Sequence, residues 1–265
     1  MSSFNAKLDN VSNFKEIFKA LKNITDSINF VCTQDGINIQ CLDREHASLI
    51  TIKIKVNTFS LYNCPNAVSF GIKTNDLNQI LKLFNNNEQL TLEFLDNINI
   101  LHLIVNSNSK IFSFNIKILD VTNSICDIPN LNYNTKLSLI SNEFIRIIED
   151  FKVIDADTIN INVKDDLMEF TTENGSYQTT IALVNKEYGS NNSNFIVRHE
   201  RPVQSYFGLI YIYNILPFAT ICDNVILFMG DNDEGMKLPL KLKFENDYCT
   251  IDFHLAPRFE DDGQN

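Results

Sequence analysis

Nothing in the 265 residues has the length or pattern of a membrane span, a metal cage or an export signal. No apolar run approaches the roughly 18 residues that a helical span requires. The opening Met1-Ser2-Ser3-Phe4-Asn5 lacks the basic-then-apolar layout of a secretory leader, so the chain is expected to act inside a cell. The six cysteines (32, 41, 64, 126, 222 and 249) include no CxxC pair, and the four histidines (46, 102, 199 and 254) are dispersed. The cysteines therefore read as small buried apolar residues in a reducing compartment, and neither a metal nor a cofactor is expected. The clustered carboxylates of a metal-dependent nuclease are missing too. Asp155 and Asp157 come nearest, but two aspartates at that spacing are the usual chemistry of a cap or turn. There is no compact basic run of the nuclear-import type. With 22 Lys and Arg against 33 Asp and Glu, net −11, the protein has no general basic coat. A local basic surface stays open, because phosphate contact depends on where the lysines lie. The acidic Glu260-Asp261-Asp262 reads as a solvated end.

What the sequence does have is a repeat. Phe14, Ile17, Phe18, Leu21 and Ile24 recur at helical spacing behind the capping candidates Ser12 and Asn13. Two alternating runs follow, 28–32 and 37–42, around Asp35-Gly36, the signature of a hairpin, and a further strand is expected over 48–56. The order returns near residue 75, where Thr74 or Asn75 precedes Leu77, Ile80, Leu81 and Phe84, with strands over 89–94 and 98–105. It returns again at Ser141, with Phe144, Ile147, Ile148 and Phe151 on one face and strands over 158–163 and 167–170. A fourth copy has its helix near 207–221 and strands over 224–229 and 238–244. Pro217 should end or kink that helix. Helix starts about 65 residues apart mark repeated supersecondary units, each burying one face. The first and third copies match best, so the chain divides into similar halves, 1–117 and 136–265, joined by an aperiodic connector over 118–135.

The helices also share a charge pattern. Lys15, Lys19 and Lys22 fall on one stripe opposite the apolar stripe of the first helix. Lys73 and Lys82 flank the second, and Arg146 and Lys152 sit on the third, diluted by Glu149 and Asp150. The fourth carries no basic residue. Lysines without exposed aromatic partners suit sequence-independent phosphate contact rather than the reading of bases. A surface lined by these helices would be mildly basic on an otherwise acidic protein.

Landmarks along the whole chain, from Phe4-Asn5-Ala6-Lys7-Leu8 through Gly36-Ile37-Asn38-Ile39-Gln40, Leu42-Asp43 with His46, Ile80-Leu81-Lys82, Ile128-Pro129 and Pro202-Val203-Gln204 to Leu255-Ala256-Pro257, resemble the DNA sliding clamps of the proliferating cell nuclear antigen family. The resemblance implies an α+β fold of two similar clamp domains, each with two helices packed on antiparallel sheets, and a homotrimer forming a six-domain ring around double-stranded DNA. It implies a processivity factor and not an enzyme, one that tethers DNA polymerase, the clamp loader and other proteins carrying a short clamp-binding peptide, in replication and repair. The site of action would be the nucleus, or a cytoplasmic replication site if the protein is viral. Lys15, Lys22, Lys82 and Arg146 would face DNA, and the helical stripes add Lys19, Lys73 and Lys152. The partner-peptide groove would comprise Leu42, His46, Leu49, Ile125, Ile128, Pro129, Tyr133, Pro239, Leu255, Ala256 and Pro257. Subunits would join through Phe112, Phe114 and Ile116 against Tyr177, Thr179, Ile181 and Leu183. Lys164 matches a ubiquitin-acceptor position. Glu16, Gln79, Glu149, Ile210 and Pro217 stand where relatives often carry positive charge, so DNA contact would be weaker than usual. A subunit of a heterotrimeric checkpoint-type clamp and a clamp-fold structural scaffold are the alternative readings.

Overall fold

The computed structural model describes residues 3–95, 98–107, 110–119, 126–164, 167–184, 195–199 and 201–258. The chain forms two compact units, residues 1–127 with 245–251, and residues 128–244 with 252–265.

The first unit runs β1 (Phe4–Leu8), α1 (Ser12–Ile24), β2 (Ser27–Thr33), β3 (Gly36–Leu42), β4 (Ser48–Lys55), β5 (Leu61–Asn63), β6 (Val68–Lys73), α2 (Thr74–Leu81), β7 (Gln89–Leu95), β8 (Ile100–Asn106) and β9 (Ile111–Lys117). One antiparallel sheet has the order β5-β1-β7-β8-β9, and in the other β4, β3, β2 and β6 are successive neighbours. The expected apolar stripe of α1, Phe14, Ile17, Phe18, Leu21 and Ile24, is buried together with Ala20. Phe18 stacks on Phe30, Phe30 on Phe70 and Phe70 on Phe94, with centroids 5.8, 5.2 and 4.7 Å apart. This aromatic column ties α1 and β2 to β6 and β7, and so to both sheets.

The second unit runs β10 (Thr135–Ile140), α3 (Ser141–Val153), β11 (Thr158–Lys164), β12 (Leu167–Glu173), β13 (Gln178–Val184), β14 (Phe195–His199), β15 (Val203–Gly208), α4 (Leu209–Asn214), α5 (Leu216–Ala219), β16 (Asn224–Met229) and β17 (Leu240–Glu245). A final strand, β18, covers Cys249–Leu255. Here the sheets are β13-β12-β11-β15 and the successive neighbours β14, β10, β16 and β17. Phe144, Ile147, Ile148 and Phe151 of α3 are buried, as the period predicts. The fourth helix breaks at Ile215, and Pro217 lies in the first turn of the short α5, where its missing N–H costs no helical bond.

The local chemistry differs from expectation at three points. Neither Ser12 nor Asn13 caps α1. The cap position is Val11, and the Asn10 side chain accepts from the Ser12 amide at 2.8 Å. Thr74 does not cap α2 through its side chain, because its hydroxyl donates back to the Thr25 carbonyl. The first hairpin turns on Gln34-Asp35, with Thr33 opposite Gly36. Gly36 instead opens β3 at φ +128°, where a Cβ would collide with the Ile54 carbonyl.

Candidate nucleic-acid and partner-binding surfaces

In the first unit α1 packs beside α2. Lys19, Lys73 and Lys82 are exposed and Lys22 is half-buried. Their ammonium groups are not equivalent. Lys19 pairs with Glu16 at 3.0 Å, one turn away. Lys15 is the departure. Its Nζ donates to the Phe84 carbonyl at 2.6 Å and to Asn86 Oδ1 at 3.1 Å, lashing α1 to the loop after α2. A lysine spent on carbonyl groups next to a helix C-terminus supports the fold more than it serves a ligand. Replacing Lys15 with alanine should therefore lower the melting temperature and leave DNA affinity little changed, whereas Lys22→Ala should do the reverse. Thermal melts and DNA-binding titrations of the two variants separate these roles.

In the second unit α3 packs beside α4 and α5. Arg146 and Lys152 are exposed, and the Lys152 ammonium lies 5.7 Å from the centroid of the Tyr213 ring on α4. Together the helices with Lys73 and Lys82 hold seven basic and five acidic side chains, a net +2 within a chain of net −11.

Each unit ends one of its sheets in an edge strand. β9 is the last strand of the five-stranded sheet, and Phe112 and Phe114 on it meet Phe84 edge-on at 5.5 and 5.9 Å while Ile116 is buried. β13 is the last strand of the four-stranded sheet, with Thr179, Ile181 and Leu183 half-buried on one face and Tyr177 exposed just before it. Among the described residues neither strand pairs on its outer side.

The expected groove residues fall in two places. In the first unit Leu42, His46 and Leu49 line a cavity of about 390 Å³. Buried Asp43 builds the loop around it: one carboxylate oxygen accepts from the Ser48 amide and hydroxyl, the other from the Glu45 amide. That scaffold holds exposed His46 at φ +58°, a left-handed conformation few side chains adopt. Arg44 closes one wall through a 2.6 Å ion pair with Asp26, and this guanidinium, first by hydrogen bond and then by charge, holds the Asp26 carboxyl below the usual range. The connector is pinned alongside. The Gln40 side chain bonds both the amide and the carbonyl of Cys126, at 2.7 and 3.1 Å. Leu119 exchanges both backbone bonds with Gly71. Gln40 and Asp43 were not foreseen as site residues, since their partners could be found only in three dimensions. Ile125 lies outside the described residues.

In the second unit Ile128 and Pro129 are exposed, and Tyr133 packs on Phe228 with centroids 5.8 Å apart. Burial, with the Asp252 carboxylate adding to it, pushes the Tyr133 hydroxyl up to about 12. Pro239 and Pro257 are half-buried and Ala256 is exposed. Leu255 is only 1% exposed, so it packs inward from the end of β18. Its neighbour His254 is also buried, and desolvation holds its imidazole below the ordinary range. Lys164 is exposed at the end of β11. Asp155 has a positive φ of 53° and sits in the turn after α3, as a turn residue rather than a ligand. Among the described residues no three His, Cys, Asp or Glu side chains come close enough to hold a metal ion. No described helix is long and apolar enough to cross a membrane.

Paired units of helix and antiparallel sheet, with basic residues gathered on the helices and an edge strand in each unit, define the clamp class of scaffold. The comparisons agree. Residues 3–125 match the family model of the proliferating cell nuclear antigen N-terminal domain, and residues 127–258 match that of its C-terminal domain. Proliferating cell nuclear antigen of Saccharomyces cerevisiae is 28% identical over 97% of this chain and 98% of its own length. That of Dictyostelium discoideum is also 28% identical, over 97% of this chain and 100% of its own. The crystal structure of Proliferating Cellular Nuclear Antigen from Entamoeba histolytica superposes with a TM-score of 0.87 at 28% identity, covering 98% of this chain and 100% of that one. The chain belongs to the proliferating cell nuclear antigen family, the sliding clamps and processivity factors of DNA replication and repair.

Proposed function

We propose that three copies of this chain close head-to-tail into a ring that encircles duplex DNA without reading its sequence. The observation that carries the reading is the pair of unpaired edges, β9 in the first unit and β13 in the second. An exposed edge strand invites pairing, and joining β9 of one copy to β13 of the next satisfies both edges at once and closes on itself. Phe112, Phe114 and Ile116 would meet Tyr177, Thr179, Ile181 and Leu183 there. The domains are then 1–117 and 136–265, with 118–135 as the connector. Lys19, Lys22, Lys73, Lys82, Arg146 and Lys152 supply the DNA-facing charge, and Lys15 contributes mainly through the loop it holds. A near-neutral inner face suits sliding, because a closed ring keeps its DNA by topology and needs little affinity. The cavity at Leu42, His46 and Leu49 takes an apolar anchor of a short partner peptide, as do Ile128, Pro129, Tyr133, Pro239, Ala256 and Pro257 in the second unit. DNA polymerase and the clamp loader are the expected bearers of such peptides, and the nucleus is the expected place of action. No catalytic step is assigned, and Lys164 is a candidate for ubiquitin attachment.

Retention on linear duplex tests this. Once the ends are blocked with bulky protein after threading, the labelled chain should stay bound in high salt, and it should run off when the ends are free. Equal loss from blocked and free DNA would rule out topological linkage.

A further inference from the structure

The outward face of the β10, β16 and β17 sheet in the second unit is unlike the rest of this acidic chain. The opposite faces of these strands are core: Leu137, Leu227 and Leu242 are all buried. On the outward face the register places Lys136 opposite Phe228 and Phe228 opposite Lys241, and in the next row Ser138, Ile226 and Lys243. Across residues 136–140, 224–228 and 241–243 that face presents three lysines and no carboxylate. The Lys136 and Lys241 ammonium groups stand 5.6 and 5.7 Å from the Phe228 centroid. Two like charges are thus drawn over one half-buried ring, and the carboxylate that answers them is Asp252, 3.2 Å from Lys241. Lys136 is exposed. At the end of the row a cavity of about 810 Å³ opens between Tyr133, Phe228, Asn134 and Arg201. Its rim is fixed, because Arg201 donates to the Asp231 carbonyl at 2.9 Å. The Tyr133 hydroxyl beside it is buried without a hydrogen-bond partner.

We propose that this face is a second docking surface, separate from the Leu42–His46–Leu49 cavity, for an acidic segment of a partner protein. An apolar side chain of the segment enters the cavity against Tyr133 and Phe228, and its carboxylates settle on Lys136 and Lys241. Charge complementarity selects the occupant: the cations are concentrated here on a chain of net −11. A nucleic-acid strand fits less well. Sequence-tolerant strand binding relies on aromatic rings open to stacking, and the Phe228 ring is already engaged by two ammonium groups.

The test is fluorescence anisotropy with a fluorescein-labelled peptide in which glutamates flank one phenylalanine. The same peptide with glutamines and a labelled oligo-thymidine strand serve as parallel probes. The glutamate peptide should bind, weaken as salt rises, and lose roughly tenfold or more in affinity with Lys136→Glu, the loss expected for a charge-assisted contact. Lys136→Ala, which introduces no new charge, should lose less but in the same direction. Circular dichroism melts confirm that both variants fold. Equal binding of the glutamine peptide, or unchanged affinity in both variants, would overturn the proposal, as would Lys136-dependent binding of oligo-thymidine alone. The readout is independent of ring closure, so failure of the chain to form a trimer bears on the clamp reading and not on this face.

Discussion

Phe30→Ala should cost the first unit about 3–5 kcal/mol, the largest loss expected from any single truncation in its core. Phe30 is 1% exposed and lies nearly parallel to both neighbours, with interplanar angles of 7° to Phe18 and 11° to Phe70. Removing it leaves a void between a helix and two sheets whose side chains are held by other contacts, so the site cannot collapse around the gap. Stacked rings also contribute beyond their buried area. Against a typical stability of about 5–15 kcal/mol, the variant should show a much reduced denaturation midpoint, or populate the unfolded state at ambient temperature. Phe30→Leu fills most of the space and should cost less than about 1.5 kcal/mol plus the stacking contribution. The check is chemical denaturation of the three proteins. A loss below about 1 kcal/mol for the alanine variant would mean the column is not what joins the two sheets.

Ile181→Asp should abolish ring assembly while leaving both units folded. Ile181 is half-buried on the edge strand β13, opposite Phe170 of β12. In the free chain its outer side faces water, where an aspartate stays hydrated at modest cost. At a subunit contact the same carboxylate would lose its water beside Phe112, Phe114 and Ile116, with no cation among those residues to compensate. An unpaired charge buried in this way costs several kcal/mol at every joint, and a ring has three joints. Sedimentation should therefore show a monomer at concentrations where the parent chain is a trimer, with an unchanged circular dichroism spectrum. A trimer of undiminished stability would move the interface away from β13.

The long periodic segments were legible in the sequence because amphipathic spacing is local. The apolar stripes of α1 and α3, the β2–β3 hairpin and the break near Pro217 all follow from residues within one or two turns of each other. Short edge elements were not. β5 has three residues, and β6 carries Gly71 in its interior, so neither shows a full alternation. The helix caps were misplaced for a related reason. Thr74 is a fine cap by type, but its hydroxyl is taken by Thr25, which lies 49 residues earlier. Site chemistry followed the same rule. The lysine stripe on α1 was visible from spacing alone, yet the fate of Lys15 depends on a carbonyl 69 residues away. Gln40 reaches Cys126 across 86 residues to anchor the connector. Such partners are properties of the folded chain, and no window of sequence contains them.

The measurement that bears most directly on the clamp reading is the solution mass of the purified chain by light scattering over a dilution series. A closed homotrimer predicts a mass near three times 30.4 kDa that holds as the protein is diluted, because opening a ring requires breaking an interface that its other joints keep in place. A monomer that persists at high concentration would contradict it.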